Sequence, residues 1–481
     1  MKRIIAIISA ILLILPTAYS CANKQGGNTA YVITAEYDDK TQTLKCNQKV
    51  KYVNNTETAV DRLKFNIFAN AYRQDAKYPP IATEYTYRAY PNGKNYGDIS
   101  FESAFTNKKS VEISLAGKDL NVIEIPLGKE LFPDERIEVE FNYTVKLANV
   151  LHRLGFNDKT VNLGNWYPVL CPYTKTGFYE CEYYSFGDPF FSEVANYDIT
   201  FTYPEKYVVA SSGNIAKNAQ KGDKKILNLK GKNIRDFALC LSQDYKVVSG
   251  KTDDGVAVEY YYFEDQLANA NLKTAIDCVN FYTKTFGKYP YDRYVACQTF
   301  LIAGGMEYSG LAMLNYGGIQ YDQVIAHETA HQWWYGGVGN NQLTTAYIDE
   351  GLSEFSVALY LDSLKQGAYQ EFVNSSLQTY KIFCTVYQAV TGKINTSMDR
   401  HLSEYGSEYE YINLNYVKPI IMLDECLKSI GKKQFFNSLK TLYNKNLFKI
   451  VGEDEFLSAF EQNGNRISEF LQSFISGKAI I

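Results

Sequence analysis

The stretch His327-Glu328-Thr329-Ala330-His331-Gln332-Trp333-Trp334, with Asp349-Glu350-Gly351 placed so that 18 residues separate His331 from Glu350, decides how this chain is read. Side chains four apart share one helix face, so the imidazoles of His327 and His331 can reach a single ion. Ala326 and Ala330 favour that helix, and Gly336-Gly337 are expected to end it. The spacing to Glu350 leaves room for a loop and a second helix that returns a carboxylate to the pair. Two imidazoles and one carboxylate leave a fourth position for water, the arrangement of a catalytic rather than a structural zinc. The chain has only 4 histidines, so their placement is informative; His152 and His401 have no partner pattern and read as structural. Glu354 lies one turn after Glu350 and reads either as an orienting partner for His331 or, more simply, as a helix-surface acid. Trp333 and Trp334 read as packing behind the helix.

Working outward, Gly304-Gly305-Met306-Glu307-Tyr308 sets a glycine-flanked carboxylate beyond a strand expected over 294–301. Downstream, Tyr416-Val417-Lys418-Pro419 opens an apolar helical run. Proline is tolerated in the first turn of a helix but not in its interior, so Tyr416 is expected just before a helix, free to point into a cleft. Between about residues 31 and 248 the pattern is different. Short alternating or β-branched runs such as Lys49-Val50-Lys51-Tyr52-Val53 and Ile137-Glu138-Val139-Glu140-Phe141 predict an antiparallel β-sandwich or saddle. The 41 tyrosines and 27 phenylalanines suit that content. Near Gly250 the period changes: a helix is expected over 266–286 and a mostly helical pattern from 322 to about 474. The expected class is α+β, with an N-terminal β domain over 31–248 followed by a mainly helical domain over 249–481 that holds a small mixed sheet.

Taken together, these motifs resemble the zinc aminopeptidase family of membrane alanyl aminopeptidase and leukotriene hydrolase. That family carries H-E-x-x-H and a ligand Glu at the same spacing, usually within His-Gln-Trp-Trp and Asn-Glu-Gly. Its exopeptidase motif Gly-x-Met-Glu-Asn is matched here by Gly304 to Glu307, with Tyr308 in place of Asn. Its tyrosine motif Tyr-x-Lys-Gly is matched by Tyr416 to Lys418, with Pro419 in place of Gly. The segment Gly187-Asp188-Pro189-Phe190-Phe191-Ser192-Glu193 also looks like the β domain of bacterial members. The resemblance implies a thermolysin-like catalytic domain and one Zn2+ per chain on His327, His331 and Glu350. It implies Glu328 as general base, Tyr416 as oxyanion stabiliser, and Gly304, Gly305, Met306 and Glu307 as substrate-binding residues, with Glu307 receiving the α-ammonium of a peptide. Two other readings stand beside it: an endopeptidase on the same core, and a surface binding protein with a retired site. The chain stops soon after the catalytic part, where many relatives continue into a large helical domain, so a more open cleft is expected if nothing else covers it.

Lys2 and Arg3, an apolar run from Ile4 to Leu15 and Pro16 read as a signal peptide over residues 1–20, followed by a tether over 21–30. Cys21 after Ala18-Tyr19-Ser20 fits a lipoprotein held on the outer face of a bacterial cell membrane; cleavage after Ser20 and secretion is the alternative. A net charge of −4 offers no basic excess for phosphates, so a peptide and not a nucleic acid is the expected partner. The eight cysteines after Cys21 are scattered, without the short spacings of a metal knuckle. They allow disulfides, Cys171 with Cys181 being nearest in sequence, or isolated buried thiols.

Overall fold

The computed structural model describes residues 29–462 and 464–479. The expected signal peptide, Cys21 and nearly all of the expected tether lie outside the described residues. Alternation of apolar and polar residues in the first half produces strands with one dry and one wet face. Ala195–Pro204 and Ala30–Asp38 each bury every second residue without exception. They form the centre of an eight-stranded sheet that runs, in spatial order, Asn214–Lys221, Lys224–Ile234, Ala195–Pro204, Ala30–Asp38, Thr43–Val53, Arg136–Lys146, Asp98–Thr106 and Lys109–Val111. Tyrosine fills much of its dry side: Tyr31 stacks on Tyr197 with ring centroids 4.9 Å apart, and the Tyr167 hydroxyl donates to that of Tyr197 at 2.8 Å. One pairing departs from the expected antiparallel pattern. Ala30–Asp38 and Ala195–Pro204 run parallel, in register from Ala30 with Asn196. A parallel pair needs a long crossover, and the chain supplies one by building one four-stranded sheet, two strands of a second and other elements between them.

The second half begins with Lys246–Lys251, which pairs antiparallel with Ala257–Tyr262 in a five-stranded sheet. The boundary expected between residues 248 and 249 falls inside that strand. Ala257–Tyr262, Arg293–Thr299 and Leu311–Asn315 are mutually parallel, and Gly305–Met306 pairs antiparallel at the edge. Arg293–Thr299 is buried at every residue, as a central parallel strand should be. Helices Ala268–Phe286 and Tyr321–Ala330 pack beside the sheet, Ala346–Leu364 packs on them, Ala368–Thr391 packs on Ala346–Leu364, and shorter helices follow to Ile475. Among the described residues no helix is long and apolar enough to cross a membrane. The eight cysteines from Cys46 to Cys426 are all free thiols, seven of them buried.

Two buried arginines join the halves. Arg293 donates to the carbonyls of Ser211 and Gly213 at 2.8 and 2.9 Å while pairing with Glu259. Arg235, 1% exposed, donates to the carbonyls of Ser192, Tyr335 and Lys449 at 2.6, 2.8 and 3.3 Å. A side chain at Gly339 would collide with its guanidinium. Ile302 N donates to Leu151 O at 3.2 Å, which brings the segment carrying His152 and Arg153 up to the end of the catalytic sheet. The cleft lies along this seam.

Candidate active site

The helix Tyr321–Ala330 carries His327 and Glu328, and His331 caps it. Its other face is buried. Tyr282 OH donates to Ala326 O at 3.1 Å, and Tyr294 OH and Thr329 Oγ1 share a hydrogen at 2.9 Å. The helix stops about five residues before Gly336-Gly337, where it was expected to end. From His331 onward the amides of Gly336, Gly337 and Val338 reach back five residues, to the carbonyls of His331, Gln332 and Trp333. Trp333 and Trp334 are buried behind the helix, their ring nitrogens on Gly287 O and Ser356 Oγ at 2.9 and 3.2 Å. Gln332 ties this turn to the strand-end loop: it accepts from Gly310 N at 2.7 Å and donates to Tyr308 O at 3.2 Å.

Three donor atoms converge. Nε2 of His327 and of His331 are 2.9 Å apart, and Oε2 of Glu350 lies 3.3 and 3.2 Å from them. Glu350 comes from the helix Ala346–Leu364, and Gly351 lets that helix press against Pro419, whose Cγ would stand 2.8 Å from any Cβ there. His331 Nδ1 is 3.1 Å from Trp334 O, an acceptor only, so Nδ1 carries the hydrogen and Nε2 the lone pair. His327 Nδ1 lies 3.1 Å from Glu354 Oε1 outside hydrogen-bond geometry, and the same tautomer at His327 would leave its Nε2 lone pair toward Glu350. Glu354 therefore stands beside His327, and not beside His331, whose partner is a backbone carbonyl. Two lone pairs and a carboxylate then point at one another, and Glu350 Oε2 is buried with no hydrogen-bond partner. A cation bound between them relieves that arrangement. Donors bound at about 2.0–2.2 Å in a tetrahedron would sit about 3.3–3.6 Å apart, close to the Glu350 separations and somewhat wider than that of the imidazoles, and the residues fit a zinc ion, the metal this donor set selects. With no metal between them, protons on the imidazoles answer the same carboxylate. Burial lowers the pKa of His331, but the Glu350 carboxylate overrides this and pushes it up to about 10; Glu350 is held well below its usual range despite its burial, chiefly by the His331 charge.

Glu328 lies between the ligands and does not join them. Burial lifts its carboxyl to about 7, and its Oε2 is buried without a partner. Gly305 makes room for it: a Cβ there would lie 2.6 Å from Glu328 Cδ. Tyr416 sits in a π-turn, Asn413–Val417, immediately before the helix Lys418–Ile430, with Pro419 in its first turn. Its ring lies parallel to that of His327, centroids 6.0 Å apart, and it lines the cleft.

Glu307 is buried at the inner end of the cleft beside Asp188. Single carboxylate oxygens of Asp188, Glu307 and Glu350 fall within 4.8 Å of one another. Burial and the Asp188 charge push the Glu307 carboxyl well above its usual range. Arg153 Nη1 is bonded to Asp188 and Glu350 belongs to the metal ligands, which leaves Glu307 with no cationic side chain paired to it among the described residues. Gln342 holds the floor: its Nε2 donates to Glu307 Oε1 at 2.7 Å and to Asp349 Oδ2 at 2.8 Å, while Asn340 donates to Asp349 Oδ1 at 2.7 Å. Tyr308, in the place of the motif's Asn, is fully buried and donates to Asn165 Oδ1 at 2.9 Å, pointing away from the cleft.

The cavity formed by these groups has a volume of about 460 Å³, with Gly304, Gly305 and Glu307 on one wall and Tyr411 and Tyr416 on the other. Among the residues lining the cleft, Tyr85 OH from the β domain donates to Glu408 Oε2 at 2.7 Å, a bridge between the two halves. His152, read as structural, lines the cleft as well and bonds Tyr72 OH at 2.6 Å; His401 caps the short helix Leu402–Glu404. Sequence reasoning assigned no role to Asp188, Arg153, Gln342, Asp349 or Tyr411. Asp188 and Asp349 stood inside quoted motifs, whereas Arg153, Gln342 and Tyr411 carried no local signal.

Comparison with known proteins follows this geometry. Residues 270–474 match the peptidase family M1 domain. No curated protein matches the chain. Among solved structures, an M1 zinc metallopeptidase from Deinococcus radiodurans superposes with a TM-score of 0.68 at 13% identity, covering 94% of each chain. A variant of that protein bound to a Tyr-Ser-Ala substrate gives a TM-score of 0.66 at 13% identity, over 94% of this chain and 96% of that one. A likeness at that identity is one of fold.

Proposed function

From the premise that the chain carries a peptidase family M1 domain, and so a zinc metallopeptidase hydrolase core, we propose that it is an aminopeptidase that removes N-terminal residues from peptides. The observation that carries this is the buried Glu307 carboxylate beside the metal ligands and the general base, which accepts from the neutral Gln342 and, among the described residues, lacks a positively charged ion-pair partner of its own. A free α-ammonium supplies that charge and fixes the register, so that the first peptide bond lies beside Glu328. The peptide bound to the Deinococcus radiodurans protein is consistent with a short substrate.

In this reading His327, His331 and Glu350 hold the metal, which when bound supplies Lewis-acid polarisation of the scissile carbonyl and acidifies water. Glu328 takes the proton of the attacking water at Oε2 and delivers it to the leaving amine. The Tyr416 hydroxyl donates to the oxyanion that forms on the carbonyl carbon's oxygen, an interaction that elsewhere is worth about a hundredfold in rate. Gly304 and Gly305, at the edge of the sheet, leave backbone room for the substrate to lie alongside as an added strand. Gln342 and Asn340 keep Glu307 and Asp349 in place.

The test is hydrolysis of aminoacyl anilides and of N-acetylated peptides by the mature protein, with and without a chelator, and by Glu328→Gln. Chelator-sensitive release from free-amine substrates alone, lost in Glu328→Gln, is the expected result. Cleavage of the N-acetylated peptides would replace this reading with an endopeptidase. We also propose export, with Cys21 carrying a lipid. Radiolabelled palmitate incorporated by the wild type and not by Cys21→Ser is the expected outcome; an unlabelled wild type would point to secretion.

A further inference from the structure

Two arginines line the cleft. Arg153 is bonded to Asp188 and lies over the Phe190 ring at 5.1 Å, so its charge is matched. Arg88 differs. It is exposed at the mouth, and among the described residues no carboxylate lies within the 4.0 Å of an ion pair. Its guanidinium rests over the ring of Tyr85, 5.9 Å from the centroid, and Tyr85 is itself anchored across the cleft on Glu408. The cation is thus held at the rim on an aromatic platform. The cleft has anionic groups at its closed end and an unmatched guanidinium at its mouth, the polarity of a peptide with a free ammonium and a carboxylate.

We propose that Arg88 receives a carboxylate on the leaving-group side of the substrate: the C-terminus of a short peptide, or an acidic side chain of a longer one. The proposal rests on the aminopeptidase reading, since the ammonium must be held at Glu307 for the far end to reach Arg88. Both charges are then recognised at once, and the bridge from Tyr85 to Glu408 limits how much chain passes beyond them. Arg88 is a specificity residue in this account and takes no part in bond breaking. An exposed guanidinium–carboxylate contact is weak, and a partly enclosed one is worth about tenfold in affinity.

The experiment measures kcat/KM for alanine peptides of two to five residues as free acids and as C-terminal amides, with a Glu-containing and a Gln-containing amide of each length. The wild type is expected to favour the acid over the amide about tenfold at one short length, through KM, with the Arg88→Gln variant bringing that ratio to about one and Arg88→Lys partly restoring it. A ratio that is large only for the Glu-containing amides assigns the contact to an acidic side chain. Calorimetric binding of the same pairs to Glu328→Gln gives a readout independent of turnover. Equal kcat/KM and equal binding for every acid and amide pair would overturn the proposal, as would a preference that survives Arg88→Gln. Failure of the aminopeptidase reading looks different: peptides then bind no better with a free amine than with an acetylated one, whatever stands at position 88.

Discussion

Gly305→Ala isolates the placement of the general base. Gly305 lies outside the left-handed region of backbone space, so alanine strains nothing at that position. The added methyl, however, would stand 2.6 Å from Glu328 Cδ and 2.8 Å from Cγ, and closer still to Oε1. Ordinary contact begins at 3.4 Å, so the carboxylate must withdraw by about 0.8 Å. Misplacement of a catalytic group by about 1 Å costs on the order of a hundredfold in rate, equivalent to about 2.7 kcal/mol in the barrier. The expected result is a fall in kcat of that size with zinc content and thermal midpoint close to those of the wild type, because the three atoms nearest the new methyl all belong to Glu328, which is not a ligand. Gly304→Ala is the control, since nothing lies within 4 Å of its methyl and Glu328 stays where it is. Steady-state kinetics on an anilide and metal analysis of both variants decide the matter. If Gly305→Ala keeps wild-type kcat, or if Gly304→Ala loses as much, the carboxylate is not held against Gly305 as argued.

Other expectations follow from the same packing. Gln342→Leu leaves Glu307 Oε1 and Asp349 Oδ2 without their shared donor, and kcat/KM for free-amine substrates should fall about tenfold with zinc retained; loss of the metal instead would mean that Gln342 supports the ligands. Arg235→Met orphans three buried carbonyls at the seam between the halves and should lower unfolding free energy by at least about 3 kcal/mol in a urea titration, whereas an unchanged midpoint would contradict the seam's role. Lys418 is buried and, among the described residues, donates to the carbonyls of Thr396 and Phe474; burial lowers its amine to about 8 from the usual 10.5. Below pH 8 the amine is charged in both states and the folded chain bears the full burial cost; above 10.5 it is neutral in both. Stability should therefore rise between those values by up to about 3 kcal/mol relative to Lys418→Met, and a flat difference between the two chains would refute it.

What the chain determined by itself is the part fixed by local repetition. A helix brings residues four apart to one face whatever surrounds it, so His327 and His331 were legible as a pair. The alternation in Ala30–Asp38 and Ala195–Pro204 likewise announced strands with one buried side. The position of Pro419 was enough to place Tyr416 at the mouth of a helix. Tertiary structure decided what lies far apart in sequence. Nothing local indicates that Ala30–Asp38 runs parallel to a strand beginning at Ala195, because that choice depends on the route of everything between them. The orientation of Glu354 toward His327 and the fall of Tyr308 away from the cleft depend on which helix face meets which wall. Asp188 reaches Glu307, and Tyr85 reaches Glu408, only because Arg235 and Arg293 lock the β half against the catalytic half. The metal ligands arise mainly from the period of one helix plus one returning carboxylate, whereas the groups that read the two ends of a substrate come from surfaces that meet only on folding.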